Sequence, residues 1–365
     1  MKYFIIAGER SGDLHAGNLV KALKDYDKEA IVKGFGGDYM ASEGADILVH
    51  YRELAFMGFL EVIKNLGTIK KYLKRCKSEI DQFNPDVVIL VDYAGFNLKI
   101  AKYVKQKGIP VHYYISPKVW AWNQKRALKI KKRVDHMYVI MPFEQQFYKK
   151  YDWHVDYVGN PVLDAVNDHH VDSSHVCLGG DYVAILPGSR QQELQNVLPV
   201  IAQLIKKFPD QKFAVAAVDN LPDNLYETVK DNKNIELVYG YTYDLLAHAR
   251  AAIVTSGTAT LETAMWEVPQ IVIYKTSSIS YKIAKLLIRV PFISLVNLIA
   301  GKEVVKELIQ DELNLKNLSS ELSRILEDQG YRNNMLNEYR TIKQRLDIGR
   351  ASDNAAKLIV GYLDK

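Results

Sequence analysis

Two strand-to-helix turns, one in each half of the chain, constrain the fold more than any other feature. Gly8-Glu9-Arg10-Ser11-Gly12-Asp13 follows the apolar run YFIIA, and Pro187-Gly188-Ser189-Arg190 follows YVAIL. In each, small residues and unpaired backbone N–H groups open a helix, where the dipole favours an anion. The second adds an arginine, whose planar fork grips a phosphate through two parallel hydrogen bonds. One such turn only redirects the chain in many α/β proteins. Two at corresponding places predict paired domains facing a central cleft.

The remaining pattern supports two copies of one architecture. Apolar runs DVVILVD (86–92), VHYYIS (111–116) and MYVIM (137–141) alternate with helix-period segments. Strands that are continuously apolar suit a parallel sheet covered on both faces. After the polar stretch Asn167 to Asp181 the pattern restarts with YVAIL (182–186), FAVAAV (213–218), IELVY (235–239), AAIVT (251–255) and QIVIY (270–274). The expectation is an α/β protein with two Rossmann-like, doubly wound parallel-sheet domains, over residues 1–166 and 167–345. Residues 346–365 are expected to form a terminal helix packing back on the first domain. In such sheets ligands bind beyond the carboxyl ends of the strands.

A chain of 365 residues exceeds what one core usually supports, which agrees with two domains. Cys76 and Cys177 lie far apart without metal-ligand spacing, so neither a disulfide framework nor a zinc site is expected. Asp25-Tyr26-Asp27 has the spacing of a cation-binding pair but reads as surface, and no metal is expected. Met1 to Ala7 reads as a buried strand and not as a secretion signal. No apolar stretch is long enough to span a bilayer. Two basic runs, Lys70 to Arg75 and Lys125 to Arg133, read as solvated faces while leaving room for an anionic partner; no nucleic-acid partner is expected.

Several local motifs each have two readings. Ser256-Gly257-Thr258-Ala259-Thr260-Leu261-Glu262 ends a strand and opens a helix: Ser256 and Thr258 can donate to phosphate oxygens, Gly257 admits close approach, and Glu262 can accept from a ribose diol. The plainer reading is a capping box in which Glu262 reaches back. Asp92, at the end of DVVILVD, is placed to accept a proton from a substrate hydroxyl; the plainer reading is an Asx turn. Glu9 is the rival base. Asp13 fits a helix start, and Trp120 and Trp122 fit packing. Gly34-Phe35-Gly36-Gly37 reads as a plain turn. From Leu54 to Leu73 an apolar stripe that includes Phe56, Met57, Phe59, Leu60 and Ile63 ends in lysines, and reads as a lipid-facing amphipathic segment or as core.

The stretches AGERSGD (7–13), LAFMGFLEV (54–62), SPKVWAWNQKR (116–126), LPGSRQQE (186–193), SGTATLE (256–262) and SLVNLIAGKEVVKEL (294–308) together resemble the lipid-A-disaccharide synthase family, inverting glycosyltransferases of GT-B fold. The resemblance implies transfer of a 2,3-diacylglucosamine unit from UDP-2,3-diacylglucosamine to 2,3-diacylglucosamine 1-phosphate, giving a β-1,6-linked disaccharide phosphate and UDP. It implies a cytoplasmic enzyme held peripherally on the inner membrane at an anionic lipid surface, without cofactor or metal. It assigns Asp92 as the leading base with Glu9 in reserve. Ser189, Arg190, Ser256, Gly257, Thr258 and Glu262 fall on the donor-nucleotide motifs. Ser11, Gly12, Asp13, Asn97, Trp120, Asn297, Gly301 and Glu303 fall near the cleft. Many family members carry a second aspartate where this chain has Gly95, which concentrates the chemistry on Asp92. The alternatives are another UDP-sugar transferase, a nonhydrolysing epimerase on the same scaffold, or a UDP-sugar-binding membrane protein without turnover.

Overall fold

The computed structural model describes residues 1–54, 66–230, 232–288 and 290–364. The chain divides into two compact units, Met1–Pro161 with Asp347–Lys365, and Val162–Leu346. The first junction therefore falls five residues earlier than the sequence boundary at 166 (166 − 161), at the start of the helix Pro161–Asp168.

The first unit is built on a seven-stranded sheet in the order β3-β2-β1-β4-β5-β6-β7, with every pairing parallel. The strands are β1 (Lys2–Ala7), β2 (Ile31–Gly36), β3 (Asp46–His50), β4 (Val87–Val91), β5 (Val111–Tyr114), β6 (His136–Val139) and β7 (Asp156–Tyr157). Tyr3 to Ala7 and Val87 to Val91 are wholly buried, as two covered faces require. Strand order reverses between β1 and β4, so the loops after these two strands flank the crevice where such sheets bind ligands.

Two readings of the sequence are corrected here. Gly34, Phe35 and Gly36 do not turn the chain; they lie inside β2, and a Cβ on Gly34 would stand 1.9 Å from the Ile5 carbonyl oxygen of β1. The glycine is there for strand approach. Asp27, read as surface, is half-buried: its carboxylate accepts from the terminal amine at 2.7 Å and from the Tyr3 hydroxyl at 3.0 Å, tying down the start of β1.

The C-terminal helix Ala351–Leu363 packs on the helix Arg10–Tyr26, contributing Ala355, Ala356 and Ile359 to the core around Leu19, Val20 and Leu23. Asn354 Nδ2 donates to the Val158 carbonyl at 3.1 Å, and the Tyr362 ring stacks on His136 at 3.7 Å.

The second unit has a six-stranded parallel sheet in the order β10-β9-β8-β11-β12-β13. Its strands are β8 (Tyr182–Leu186), β9 (Lys212–Ala217), β10 (Ile235–Tyr239), β11 (Ala249–Thr255), β12 (Gln270–Tyr274) and β13 (Lys306–Ile309). Order reverses between β8 and β11. Among the described residues no helix is long and apolar enough to cross a membrane. Phe56, Met57, Phe59, Leu60 and Ile63 lie outside the described residues.

Candidate active site

In the first unit, β4 ends at Val91 and the chain turns abruptly into the helix Ala94–Gln106. The turn is made by two successive non-glycine residues in the left-handed region, Asp92 at φ 44° and Tyr93 at φ 48°. Such backbone is disfavoured by about 1–3 kcal/mol per residue and persists only where the surroundings enforce it. Here Asn97 Nδ2 donates to the Asp92 carbonyl at 2.8 Å and to the Val91 carbonyl at 3.2 Å, and the Tyr113 hydroxyl also donates to the Asp92 carbonyl. The Asp92 backbone is thus clamped from below while its side chain stays exposed. Protein nevertheless crowds the carboxyl closely enough for desolvation to raise its pKa, with the Lys118 charge and a hydrogen bond from the Tyr93 backbone pulling the other way. An accessible carboxylate made more basic than an ordinary aspartate is what proton abstraction from a hydroxyl needs.

Glu9 occupies the residue before the helix Arg10–Tyr26, makes no capping bond with its side chain, and is exposed beside this turn. Tyr93 links the two carboxylates: its ring lies against Gly8, and burial raises its pKa, with the Glu9 charge adding to the shift. The strand-end loops of β1 and β4 thus bring Glu9, Ser11 and Asp92 to one side of the switch point.

The sequence holds no clear sign of the group that anchors Lys118. Glu144 is buried, and its carboxylate collects four donors: Ser116 Oγ at 2.7 Å, Trp120 Nε1 at 3.1 Å, and the backbone N–H groups of Met141 at 3.0 Å and Ile140 at 3.3 Å. Burial pushes its pKa up to about 7, with those donors opposing the rise. The loop carrying Lys118 is pinned on both sides, at Ser116 and Trp120. Pro142 and Glu144 signal only a helix start in the sequence; the bonds to Ser116 and Trp120 exist because β5 and β6 are neighbours.

In the second unit, the loops after β8 and β11 flank the switch point. Gly188, at φ 106°, turns the chain so that Ser189 and Arg190 lead into the helix Gln191–Lys207. Glu193 folds back to accept from the Ser189 and Arg190 N–H groups at 3.1 and 3.2 Å, leaving the Arg190 guanidinium exposed and 3.4 Å from its other oxygen. The β11 loop differs. No side chain caps the helix Thr258–Met265, and Gly257 and Thr258 are exposed at its positive end. Ser256 Oγ donates to the Ile293 carbonyl at 2.9 Å. Glu262 does not reach back as a capping box would: it accepts from the Tyr243 hydroxyl at 3.0 Å, and burial raises its pKa against that bond. Tyr243, packed among His169 and Trp266, went unnoticed in the sequence because its helix, Thr242–Ala247, is remote from the motif along the chain.

Four expected cleft residues turn inward. Asp13 is fully buried, accepting from the Gly37, Tyr39 and Met40 N–H groups at 2.6, 3.0 and 3.3 Å. Asn97 and Trp120 are buried in the contacts given above. Asn297 is also fully buried: Oδ1 accepts from the Val304 and Val305 N–H groups at 2.7 and 3.0 Å, and Nδ2 donates to Glu307 at 2.9 Å. All four hold loops, since a buried polar side chain must spend its hydrogen bonds on the protein around it. Gly12 is buried against Ala7, Gly301 ends the helix Leu295–Ala300 at φ 72°, and Glu303 is exposed 3.5 Å from Lys306 Nζ.

The Lipid-A-disaccharide synthetase family model matches residues 3–360. The chain belongs to the lipid-A-disaccharide synthase family. It is 38% identical over 373 residues to the lipid-A-disaccharide synthase of Syntrophus aciditrophicus, covering 99% of this chain and 97% of that protein. With the synthase of Geobacter sulfurreducens it shares 34% identity over 375 residues, covering 100% and 98%. The family's glycosyltransferase fold appears in solved structures too. The crystal structure of the glycotransferase of kitacinnamycin superposes with a TM-score of 0.69 at 13% identity, covering 99% of each chain. The UDP-GlcNAc 2-epimerase from Neisseria meningitidis, bound to UDP-GlcNAc, gives 0.68 at 14% identity, covering 100% of this chain and 99% of the other. At such identities the likeness is one of fold. As a lipid-A-disaccharide synthase family member the chain is a glycosyltransferase acting on a sugar nucleotide and a lipid phosphate.

Proposed function

We propose that the chain joins UDP-2,3-diacylglucosamine to 2,3-diacylglucosamine 1-phosphate with inversion, using Asp92 as general base. The acceptor's 6-hydroxyl oxygen forms a bond to the anomeric carbon as its proton passes to the Asp92 carboxylate. The bond from that carbon to the UDP oxygen breaks, and UDP leaves with the electron pair. The Arg190 guanidinium, the exposed Ser189 hydroxyl and the uncapped helix start at Gly257 and Thr258 stabilise the charge that develops on the pyrophosphate. Removing one such preorganised donor typically slows catalysis by about 10²–10³-fold. Glu262, oriented by Tyr243, accepts from the ribose diol.

The observation that carries this reading is the exposed, desolvated carboxylate of Asp92 on a clamped left-handed turn at the switch point. The test is Asp92→Asn, which keeps shape and removes the base. Disaccharide formation, followed by mass spectrometry, should fall by roughly 10²–10⁴-fold while UDP affinity is unchanged. Unchanged turnover would move the role to Glu9. Conversion of the UDP-sugar without any acceptor would point to an epimerase.

The acyl chains of both substrates support a peripheral position for the enzyme, which we take to be the cytoplasmic face of the inner membrane. Each methylene withdrawn from water contributes about 0.8 kcal/mol, so the substrates stay in the bilayer and the enzyme meets them there. Phe56, Met57, Phe59, Leu60 and Ile63 are the proposed lipid contacts. Phe56→Ser with Phe59→Ser should weaken binding to anionic vesicles without lowering the melting temperature.

A further inference from the structure

One side of the first unit carries a groove of about 890 Å³ that the mechanism above does not use. Its walls hold Lys99 from the helix Ala94–Gln106, and Lys125, Arg126, Lys129, Lys132 and Arg133 from the helix Arg126–Lys131 and its flanks. Among the described residues no acidic side chain lines it. The neighbouring cations Lys105 and Lys107 pair with Asp135 and Asp81. Among the described residues, none of the six groove cations has a carboxylate within ion-pair distance. Arg133 Nη1 donates to the Leu98 carbonyl at 3.0 Å, which fixes one wall against the other. Like charges gathered in a concavity repel one another and focus a positive field, which an anion relieves.

Gly95 also lines this groove. Among the described residues nothing lies within 4 Å of where its Cβ would be. Gly95 follows Asp92 by three positions, a span of at most about 11 Å of chain. A hexosamine 1-phosphate carries its phosphate and its 6-hydroxymethyl on the two carbons that flank the ring oxygen, so the phosphate stays within about a ring's width of the reacting hydroxyl. With the hydroxyl at Asp92, a phosphate that close is within reach of the groove that Gly95 lines.

We infer that this groove binds the phosphomonoester of the acceptor, with Lys99, Lys129 and Lys132 as its principal contacts. The inference rests on the reading of Asp92 as the base that meets the acceptor's hydroxyl. A concave site beside the reacting carboxylate, and not a flat face, favours a substrate phosphate over bilayer headgroups. A phosphomonoester, nearly doubly charged at neutral pH, satisfies several cations at once.

The test is Lys129→Ala with Lys132→Ala, both exposed side chains whose removal leaves the core untouched. In detergent micelles the acceptor KM should rise about tenfold or more, the loss of roughly 1.4 kcal/mol or more of binding. The donor KM should stay within about twofold and the melting temperature should not move. Inorganic phosphate should compete with the acceptor in the wild type and lose that effect in the variant, and Lys129→Arg with Lys132→Arg should restore the KM. If the acceptor KM is unchanged and the variant instead stops binding phosphatidylglycerol vesicles, the groove is a headgroup surface and the inference is overturned. If the KM is unchanged and vesicle binding is too, the cations are solvated and the inference fails. If the wild type makes no disaccharide, the reaction itself is wrong and the groove has no acceptor phosphate to hold. If it makes disaccharide but Asp92→Asn does so equally well, the base assignment falls while the KM comparison still decides the groove.

Discussion

Asp92 shows how a single side chain acquires a function that its type does not confer. An exposed aspartate in water is a weak base; one crowded by protein is stronger because its charged form is less well solvated. The direction of its shift sets the pH dependence. The base must be ionised to work, so transfer should fall as pH falls through the raised pKa, and the acidic limb of kcat/KM should lie above 3.8, the ordinary value for this group. A limb at or below that value would mean that desolvation does not act on the working base. Lys118 opposes the shift, so Lys118→Ala should move the limb further toward neutral pH.

At the scale of elements, loops at strand ends are held by side chains that never touch substrate. Gly188→Ala puts a Cβ 2.3 Å from Glu193 Oε2 on backbone at φ 106°. The strain of about 1–3 kcal/mol should break the Glu193 bonds to the Ser189 and Arg190 N–H groups and displace the Arg190 guanidinium. Calorimetric titration with UDP should then show weakened binding; full affinity would mean that this turn is not the pyrophosphate cradle. Glu144 makes a prediction about stability. Its folded pKa, about 7, lies above its ordinary 4.5, so protonation favours the folded state. Its stabilising contribution is therefore complete below about 4.5 and is lost as pH rises through about 7, with a slope of about 1.4 kcal/mol per pH unit between them. Urea midpoints measured across that window should fall with pH, and the fall should flatten in Glu144→Gln. That variant also turns an amide group toward the Ile140 and Met141 N–H groups, so it should be less stable at every pH.

For the whole molecule, the chain returns to its first unit after completing the second. The terminal helix covers apolar surface that the first unit alone would expose, with Ala355, Ala356 and Ile359 fully buried. Ending the chain at Leu346 should therefore lower the melting temperature of the first unit and make it expose apolar surface to a hydrophobic dye. Burying an isoleucine alone is worth about 1.5–3 kcal/mol. A milder probe is Tyr362→Ala, which removes the stack on His136 and the 3.2 Å bond to Asp156. It should destabilise by about 1–3 kcal/mol.

Local chemistry makes much of this protein readable in its sequence. Continuously apolar runs located nine strands, because a doubly covered sheet admits little else, and the glycine-bearing turns marked where ligand loops begin. The edge and glycine-rich strands β2, β3, β7 and β13 escaped because part-exposed strands and IVKGFG lack that run. What only the tertiary structure decided was the direction in which each polar side chain points. The family resemblance puts Asp13, Asn97, Trp120 and Asn297 near the cleft, yet packing turns each inward to satisfy backbone or carboxylate groups. Glu144 and Tyr243 look ordinary and become the anchors of Lys118's loop and of Glu262. Residue type and spacing report what a group can bond to, whereas its partner is set by strands and helices brought together from distant parts of the chain.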